Sequence, residues 1–361
     1  MFKIIDKLFE THNLSTNELL TLVKNNDKDV LAYLCQKANC VRKEIYGTDI
    51  YIRGLIEISN ICKNNCLYCG IRSENKTCDR YRLTKAEIFE CVKENYLKGF
   101  RTFVLQGGED SYYTDGILCE IIKDIKNLFP DVCITLSLGE RTKKSYQKLY
   151  NAGAERYLLR HETANKEHYK KLHPERMSYD NRIRCLHDLK EIGYQTGCGF
   201  MVGSPYQTAE NLVEDLRFIK NFNPEMCGIG PFIPHKNTPF KDFQAGSLDL
   251  TLKMLALVRL LVPDVLLPAT TALATISENG RELGLKAGAN VIMPNLLPKS
   301  IAKKYSLYDN KFHEENNIEK LKQELERMGY QFVISRGDNA RKINSLFTQM
   351  GDKVRMEKKN V

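Results

Sequence analysis

Ile50-Tyr-Ile-Arg-Gly-Leu-Ile-Glu-Ile-Ser-Asn-Ile-Cys-Lys-Asn-Asn-Cys-Leu-Tyr-Cys-Gly70 joins a strand to a candidate metal loop, and the rest of the chain can be read outward from that join. Ile50–Ser59 reads as a strand. The loop after it carries Cys62, Cys66 and Cys69 in the spacing C-x3-C-x2-C. Three thiolates in so short a run can hold three corners of an iron–sulfur cube, whereas cubane clusters usually take four ligands. No fourth cysteine follows at a matching distance, so one iron is left without a protein ligand. An open position is a place for chemistry, as it is in catalytic zinc sites. The competing reading is a structural zinc knot that borrows a histidine or a distant cysteine.

Beyond the loop, strand and helix alternate. Further strands are expected at Thr102–Gln106, Cys133–Ser137, Arg156–Arg160, Gln195–Val202, Met226–Gly230, Val265–Pro268 and Asn290–Met293. Amphipathic stretches lie between them, including Thr84–Tyr96, Ser145–Tyr150 and Tyr179–Glu191. Thr84 and Glu87 form a capping box, as do Ser15 and Glu18. Gly99, Gly153, Gly193 and Gly288 stand where helices hand over to strands, the usual place for a left-handed residue. Asn-Ala-Gly-Ala at 151–154 and Lys-Ala-Gly-Ala at 286–289 are nearly the same joint used twice. Eight such units predict an α/β chain folded as a (β/α)8 barrel, with a doubly wound open sheet as the alternative. The expected division is a helical extension over 1–45, the barrel over 46–300 and a C-terminal extension over 301–361 that closes the barrel.

Composition narrows the setting. The 361 residues carry a net charge of +9 and twelve cysteines. The most apolar stretch, Met254 to Ala274, is broken by Arg259, Pro263 and Asp264, so no membrane span is expected. The start has no apolar signal core, and the scattered cysteines lack a small secreted framework, so a cytoplasmic protein with free thiols is expected. The basic tail (Arg341, Lys342, Lys353, Arg355, Lys358, Lys359) comes with no nucleic-acid motif, and a solvated tail is expected.

In a barrel, active sites form at the C-terminal ends of the strands. There the second strand ends Gln106-Gly107-Gly108-Glu109, where paired glycines admit a ligand to the backbone and Glu109 can accept from an ammonium group. Thr135 and Ser137 share a face of the third strand. On the fourth, Arg160 and Glu162 would both face the mouth, a costly burial unless paired or bound to a ligand. Arg182 follows, suited to a forked carboxylate contact. The glycine-rich fifth strand, with Met201, would let a flat adenine lie on backbone, and Gly228-Ile229 continue the theme. Thr270, Thr271, Tyr305 and Tyr308 offer hydroxyls near the opening. His235 is expected to be a loop residue.

The cysteine loop followed by Gly-Gly-Glu resembles the radical S-adenosylmethionine (SAM) superfamily, in which SAM chelates the open iron and is split to an adenosyl radical. Cys-x3-Cys-Leu-Tyr-Cys-Gly-Ile-Arg (62–72), Arg-Tyr-Arg-Leu-Thr (80–84), Val-Leu-Gln-Gly-Gly-Glu-Asp (104–110) and Thr-Leu-Ser-Leu-Gly-Glu (135–140) resemble, more narrowly, the FeFe-hydrogenase maturase HydE family. So do Arg-Tyr-Leu-Leu-Arg-His-Glu-Thr (156–163), Gly-Ile-Gly-Pro-Phe-Ile-Pro-His (228–235), Pro-Ala-Thr-Thr-Ala (268–272) and Asn-Val-Ile-Met-Pro-Asn (290–295).

The resemblance implies one 4Fe–4S cluster on the three cysteines. It implies SAM held by Glu162 and Arg182 with Tyr68 near the adenine, and a cavity lined by Arg156, Arg160, Thr270, Thr271, Tyr305 and Tyr308. The implied substrate is a small anionic, iron-containing, cysteine-derived precursor of the hydrogenase H-cluster. Implied partners are other maturation proteins and an electron donor such as a ferredoxin or flavodoxin, with no nucleic acid and no membrane. Two departures stand out. No cysteine follows Cys227, so no second cluster is expected, and Tyr206 stands in Gly-Ser-Pro-Tyr-Gln-Thr (203–208) where the family commonly has glycine. Competing readings are a methylornithine synthase-like or biotin synthase-like enzyme and, from another class, a non-catalytic iron–sulfur carrier.

Overall fold

The computed structural model describes residues 1–313 and 318–343. The tail residues Lys353, Arg355, Lys358 and Lys359 lie outside the described residues. Its centre is a ring of parallel strands. The opening strand is broken at Arg53 into β1 (Asp49–Ile52) and β2 (Gly54–Ser59). β3 (Thr102–Gly107), β4 (Cys133–Ser137), β5 (Ala154–Leu158) and β6 (Gln195–Cys198) follow in order beside β2. Beyond Gly199, β7 (Met201–Val202) continues the line of β6. β8 (Met226–Cys227) pairs with β6, and β9 (Gly230–Pro231) with β7.

The ring then closes through isolated parallel bridges, Met226 with Leu266 and Pro268 with Val291, and through β10 (Val291–Ile292) on β1. Donation from Tyr51 N–H to Asn290 O and from Arg53 N–H to Ile292 O, both at 2.9 Å, seals the seam. All eight expected strand positions are occupied. The expected strand Val265–Pro268 is reduced to those two bridges. Gln195–Val202 is interrupted at Gly199, whose φ is 151° and where an added Cβ would come 2.0 Å from Gly228 O. No side chain fits between these two backbones, which explains a glycine in mid-strand.

Helices form the outer layer. The capping boxes at Ser15–Glu18 and Thr84–Glu87 are both made. Gly99, Gly153, Gly193 and Gly288 take φ values of 100°, 115°, 103° and 101°, the left-handed joints expected from the sequence. The helix Leu248–Leu261 is buried from Thr251 to its end, because the N-terminal helices Phe2–Thr11, Thr16–Lys24 and Lys28–Tyr46 pack over it. Its apolar character belongs to the core, and among the described residues no helix is long and apolar enough to cross a membrane.

The C-terminal residues divide between the two ends of the barrel. Residues 303–313 lie over the strand C-termini, where Leu307 O accepts from Gly70 N–H at 2.8 Å. β11 (Gln331–Val333) pairs with β1 at the opposite end, and residues 335–339 plug the floor. There Arg156, 0 % exposed, donates to Arg336 O at 2.6 Å and to Asp338 Oδ1 at 2.7 Å. Burial works to raise the Asp338 carboxyl, yet Arg156, the Gln195 amide and Arg336 together hold it well below the usual carboxylate range. Asp338→Ala would strand the Arg156 charge at a cost of about 3–5 kcal/mol. Urea unfolding should show that loss, and the double variant Arg156→Met/Asp338→Leu should recover much of it.

Candidate active site at the strand ends

The cysteine loop is shaped by groups outside it. Arg80 donates to Asn60 O at 2.5 Å, Ile71 O at 2.8 Å, Arg72 O at 2.6 Å and Asn75 O at 3.1 Å, tying the entry of the loop to its exit. Asp110 accepts from Ser59 Oγ at 2.7 Å and from Nε and Nη2 of the Arg82 guanidinium at 2.7 and 2.8 Å. Two glycines mark close approaches. A Cβ on Gly108 would lie 2.3 Å from Ile61 O, and one on Gly70 would lie 2.2 Å from Ser306 O and 2.4 Å from His235 Cδ2. His235 is a loop residue, as expected, and it is buried as a wall of the cysteine loop. Burial pushes the Cys66 thiol up to about 12 and raises Cys62 and Cys69 as well, each of the two feeling its neighbours' charge. Such thiols ionise only when a cationic partner stabilises the thiolate.

Across from the loop, Glu162 takes φ 66°, a left-handed backbone for a residue with a side chain. Its Oε2 stands 3.2 Å from Arg160 Nη2, without the geometry of a hydrogen bond, and both atoms are buried and unpartnered among the described residues. Arg182 and Glu162 both act on the Cys66 thiol, in opposite directions, so cluster loop and ion pair converge. The forked contact expected of Arg182 is largely taken up within the protein. Its Nε donates to Glu140 Oε1 at 2.6 Å and its Nη1 to Arg160 O at 2.7 Å, which props the turn that carries Glu162. Glu109 is likewise engaged, accepting from Glu140 N–H at 3.0 Å and pairing with Lys63 Nζ at 3.2 Å. Tyr68 OH donates to His173 Nε2 at 3.1 Å, which locks the aromatic of the loop. Gln106, Gly107 and Ser137 sit half-buried at the adjoining strand ends.

A buried dyad that the sequence reading passed over lies behind Glu162. His161 and Asp215 are both 0 % exposed. Gly199 N–H donates to His161 Nδ1 at 3.2 Å, so the ring proton is on Nε2 and is donated to Asp215 Oδ1, also at 3.2 Å. Asp215 Oδ1 accepts Ala164 N–H as well, at 2.6 Å. Burial lowers the ring to about 3, so it is neutral at any working pH, and burial raises the Asp215 carboxyl. The dyad therefore works by geometry, clamping both sides of the strained turn. The available signal was a histidine next to a mouth-facing glutamate.

The remaining nominees separate by depth. Thr135 pairs in register with Arg156, two residues below Ser137, or roughly 7 Å along the strand. Thr135 and Arg156 therefore lie deeper in the barrel, near Arg53, with Thr135 Oγ1 and Arg156 Nε and Nη1 buried and without hydrogen bonds among the described residues. The reason is strand register: the residues expected to share one ligand are spread along the strand axis. Met201 packs with Leu172, Phe232 and Phe240, and the Ile229 side chain is in the core, so at 228–229 only backbone is free to meet a ligand. Thr270 Oγ1 is buried and unpartnered among the described residues, and with Thr271, Asn295 and Lys311 it lines a cavity at the seventh and eighth strand ends. Tyr305 and Tyr308 cover that side, and the burial-raised Tyr305 hydroxyl feels the charge of Glu57, Cys69 and Cys62. Glu57, an acid in an apolar strand, accepts from Lys311 Nζ at 2.5 Å and from Asn295 Nδ2 at 2.7 Å. An acid in the middle of an apolar strand is the signal in the sequence that marks this pair.

The donor set suits a cluster. Three thiols share one loop, and among the described residues no group of three or more His, Cys, Asp or Glu side chains is gathered tightly enough for a single metal ion. A cubane, by contrast, takes its three thiolates on three different irons. The description "Radical SAM superfamily" matches residues 56–219. The chain is a radical SAM enzyme, and the cofactors of that class are a 4Fe–4S cluster and SAM. Over 309 residues it is 47 % identical to the [FeFe] hydrogenase maturase subunit HydE of Thermotoga maritima, covering 86 % of this chain and 88 % of the relative. It belongs to the HydE family. It is also 31 % identical to the 3-methylornithine synthase of Methanosarcina barkeri, over 90 % of this chain and 92 % of that one. A crystal structure of methylornithine synthase (PylB) superposes with a TM-score of 0.82 at 29 % identity, covering 95 % of this chain and 99 % of that one.

Two outcomes follow from this geometry. Arg80→Lys cannot bridge four carbonyls, so iron bound after reconstitution should fall by more than half while circular dichroism is unchanged. His161→Ala should raise the SAM Kd about tenfold, or ~1.4 kcal/mol, with iron content kept. Asp215→Asn retains an acceptor oxygen and should stay within about twofold of the parent. A SAM titration followed by electron paramagnetic resonance would measure both.

Proposed function

We propose that this enzyme acts in assembly of the FeFe-hydrogenase H-cluster, on a small anionic iron-containing precursor derived from cysteine. Cys62, Cys66 and Cys69 would hold the cluster, with residues 46–300 as its barrel, and Glu162 and the backbone at 107–108 and 228–229 would receive SAM. When bound, the cluster supplies the electron that cleaves SAM to an adenosyl radical.

One observation supports this substrate class above others. Among the described residues, the polar atoms left buried and without hydrogen bonds inside the barrel include Arg160 Nε and Nη2, Glu162 Oε2 and Thr270 Oγ1 at the strand ends and Thr135 Oγ1 and Arg156 Nε and Nη1 below them. Arg160 can donate in a plane to an anion, and the Thr270 hydroxyl can donate to a second polar ligand atom. Leaving such donors without a partner is costly, so they suit a polar guest and suit an apolar chain poorly. The residues around them order the site. Arg182 and the His161–Asp215 dyad fix the turn at 160–163, and Tyr305, anchored by the Lys311–Glu57 pair, excludes water from one side.

The 3-methylornithine synthase relatives keep a second reading open, since they share the barrel and differ in the cavity. Incubation with lysine separates the two, because 3-methylornithine as product would overturn the assignment. In variants, Cys66→Ala should lose the cluster and all SAM cleavage. Thr270→Val should keep SAM cleavage within about twofold while lowering hydrogenase maturation at least about tenfold. Equal loss in both assays would remove the division between SAM site and substrate cavity.

A further inference from the structure

Residues 172–177 lead from the helix Lys166–Leu172 to the helix Tyr179–Ile192, and they fasten the cysteine loop along its length. Leu172 O accepts from Leu67 N–H at 3.0 Å, and His173 Nε2 accepts from Tyr68 OH at 3.1 Å. Arg176 Nη2 donates to Lys63 O at 2.6 Å. A further contact joins two sulfurs, with Met177 Sδ 3.7 Å from Cys66 Sγ. The backbone on either side of Met177 is fixed. Its N–H donates to Pro174 O at 2.8 Å, and Ser178 caps the next helix by accepting Asn181 N–H at 3.2 Å. Met177 is half-buried, with one side on the middle cysteine of the three and the other toward solvent.

The chemistry of the two sulfurs gives the contact a direction. As a thiol, Cys66 donates its proton to the Met177 sulfur. A cysteine that ligates iron is a thiolate and has no proton to give. A thioether has none either, since it can only accept. Tyr68, whose hydroxyl also lies beside Cys66, is spent elsewhere. His173 Nδ1 donates to Tyr169 O at 3.0 Å, so its Nε2 is an acceptor, and Tyr68 gives its single proton there. Burial lowers the His173 ring to about 3, which keeps that acceptor free of a proton of its own. Neither side chain in this corner therefore offers a ligating Cys66 a donor, and the thioether keeps water from the sulfur. Reduction adds negative charge to a cluster, and hydrogen bonds to its sulfurs and access of water are what stabilise that charge.

We propose that Met177 sets the reduction potential of the cluster, holding it low by keeping the Cys66 corner dry and free of hydrogen-bond donors. The inference rests on the reading that Cys62, Cys66 and Cys69 ligate a cubane.

The test is a mediated redox titration of the reconstituted full chain, read by electron paramagnetic resonance of the reduced cluster without SAM. Met177→Gln keeps the length of the side chain and adds an amide donor, Met177→Ala admits water, and Met177→Leu stays apolar. At the midpoint potential of the parent, Met177→Gln and Met177→Ala should each raise the ratio of reduced to oxidised cluster at least about threefold, or about 28 mV for a one-electron couple. Met177→Leu should leave that ratio within about 1.5-fold of the parent. Parent-like potentials in Met177→Gln and Met177→Ala, or an equal shift in Met177→Leu, would overturn the role given to Met177. A parent chain that holds no cluster after reconstitution would instead overturn the ligand reading on which it rests.

Discussion

A ring of parallel strands delivers every strand's C-terminal end to one face, and the site depends on that constraint. The cysteine loop leaves β2, the glycine pair leaves β3, and the Arg160–Glu162 turn leaves β5, so three distant segments meet without any of them being long. Closure is sealed by few bonds on the seventh and eighth strands, where single bridges replace ladders. The C-terminal residues compensate at both ends, with 303–313 against the mouth and β11 with 335–339 against the floor.

Inside such a ring, unpaired charge is costly, and the barrel meets that cost pair by pair. Arg156 is matched by Asp338, Glu57 by Lys311 and Arg182 by Glu140. Arg160 and Glu162 stand close to each other and yet short of a hydrogen bond, and deeper in the barrel Arg53 Nε and Arg156 Nε and Nη1 are also buried without one among the described residues. Incomplete matching that runs from the strand ends down into the barrel is the mark of a cavity that a polar ligand completes. Backbone strain falls in the same region, since Glu162 and Tyr206 both adopt left-handed φ within reach of the cluster loop.

The supports of the site are neutral or already spent. His161 and His173 are held uncharged by burial, both near 3, so protonation does not disturb the turn or the loop aromatic at working pH. Arg80 spends its guanidinium on four carbonyls. Rigid, non-titrating supports keep a reactive centre in one arrangement.

The sequence by itself determined what is local. The cysteine spacing, the capping boxes, the four glycine joints and the alternation of strand and helix depend on neighbours a few residues apart, and each was readable from residue type. Tertiary structure alone decided depth and partnership. Strand register set Thr135 and Arg156 in the lower barrel, although they lie in the same motifs as Ser137 and Arg160. Partners 42 residues apart for Arg182, 182 for Arg156 and 254 for Glu57 determined which carboxylates and cations neutralise one another inside the barrel. The physical reason is that a side chain's role inside a barrel follows from who neutralises it, and that neighbour is chosen by closure of the ring, not by proximity in the chain.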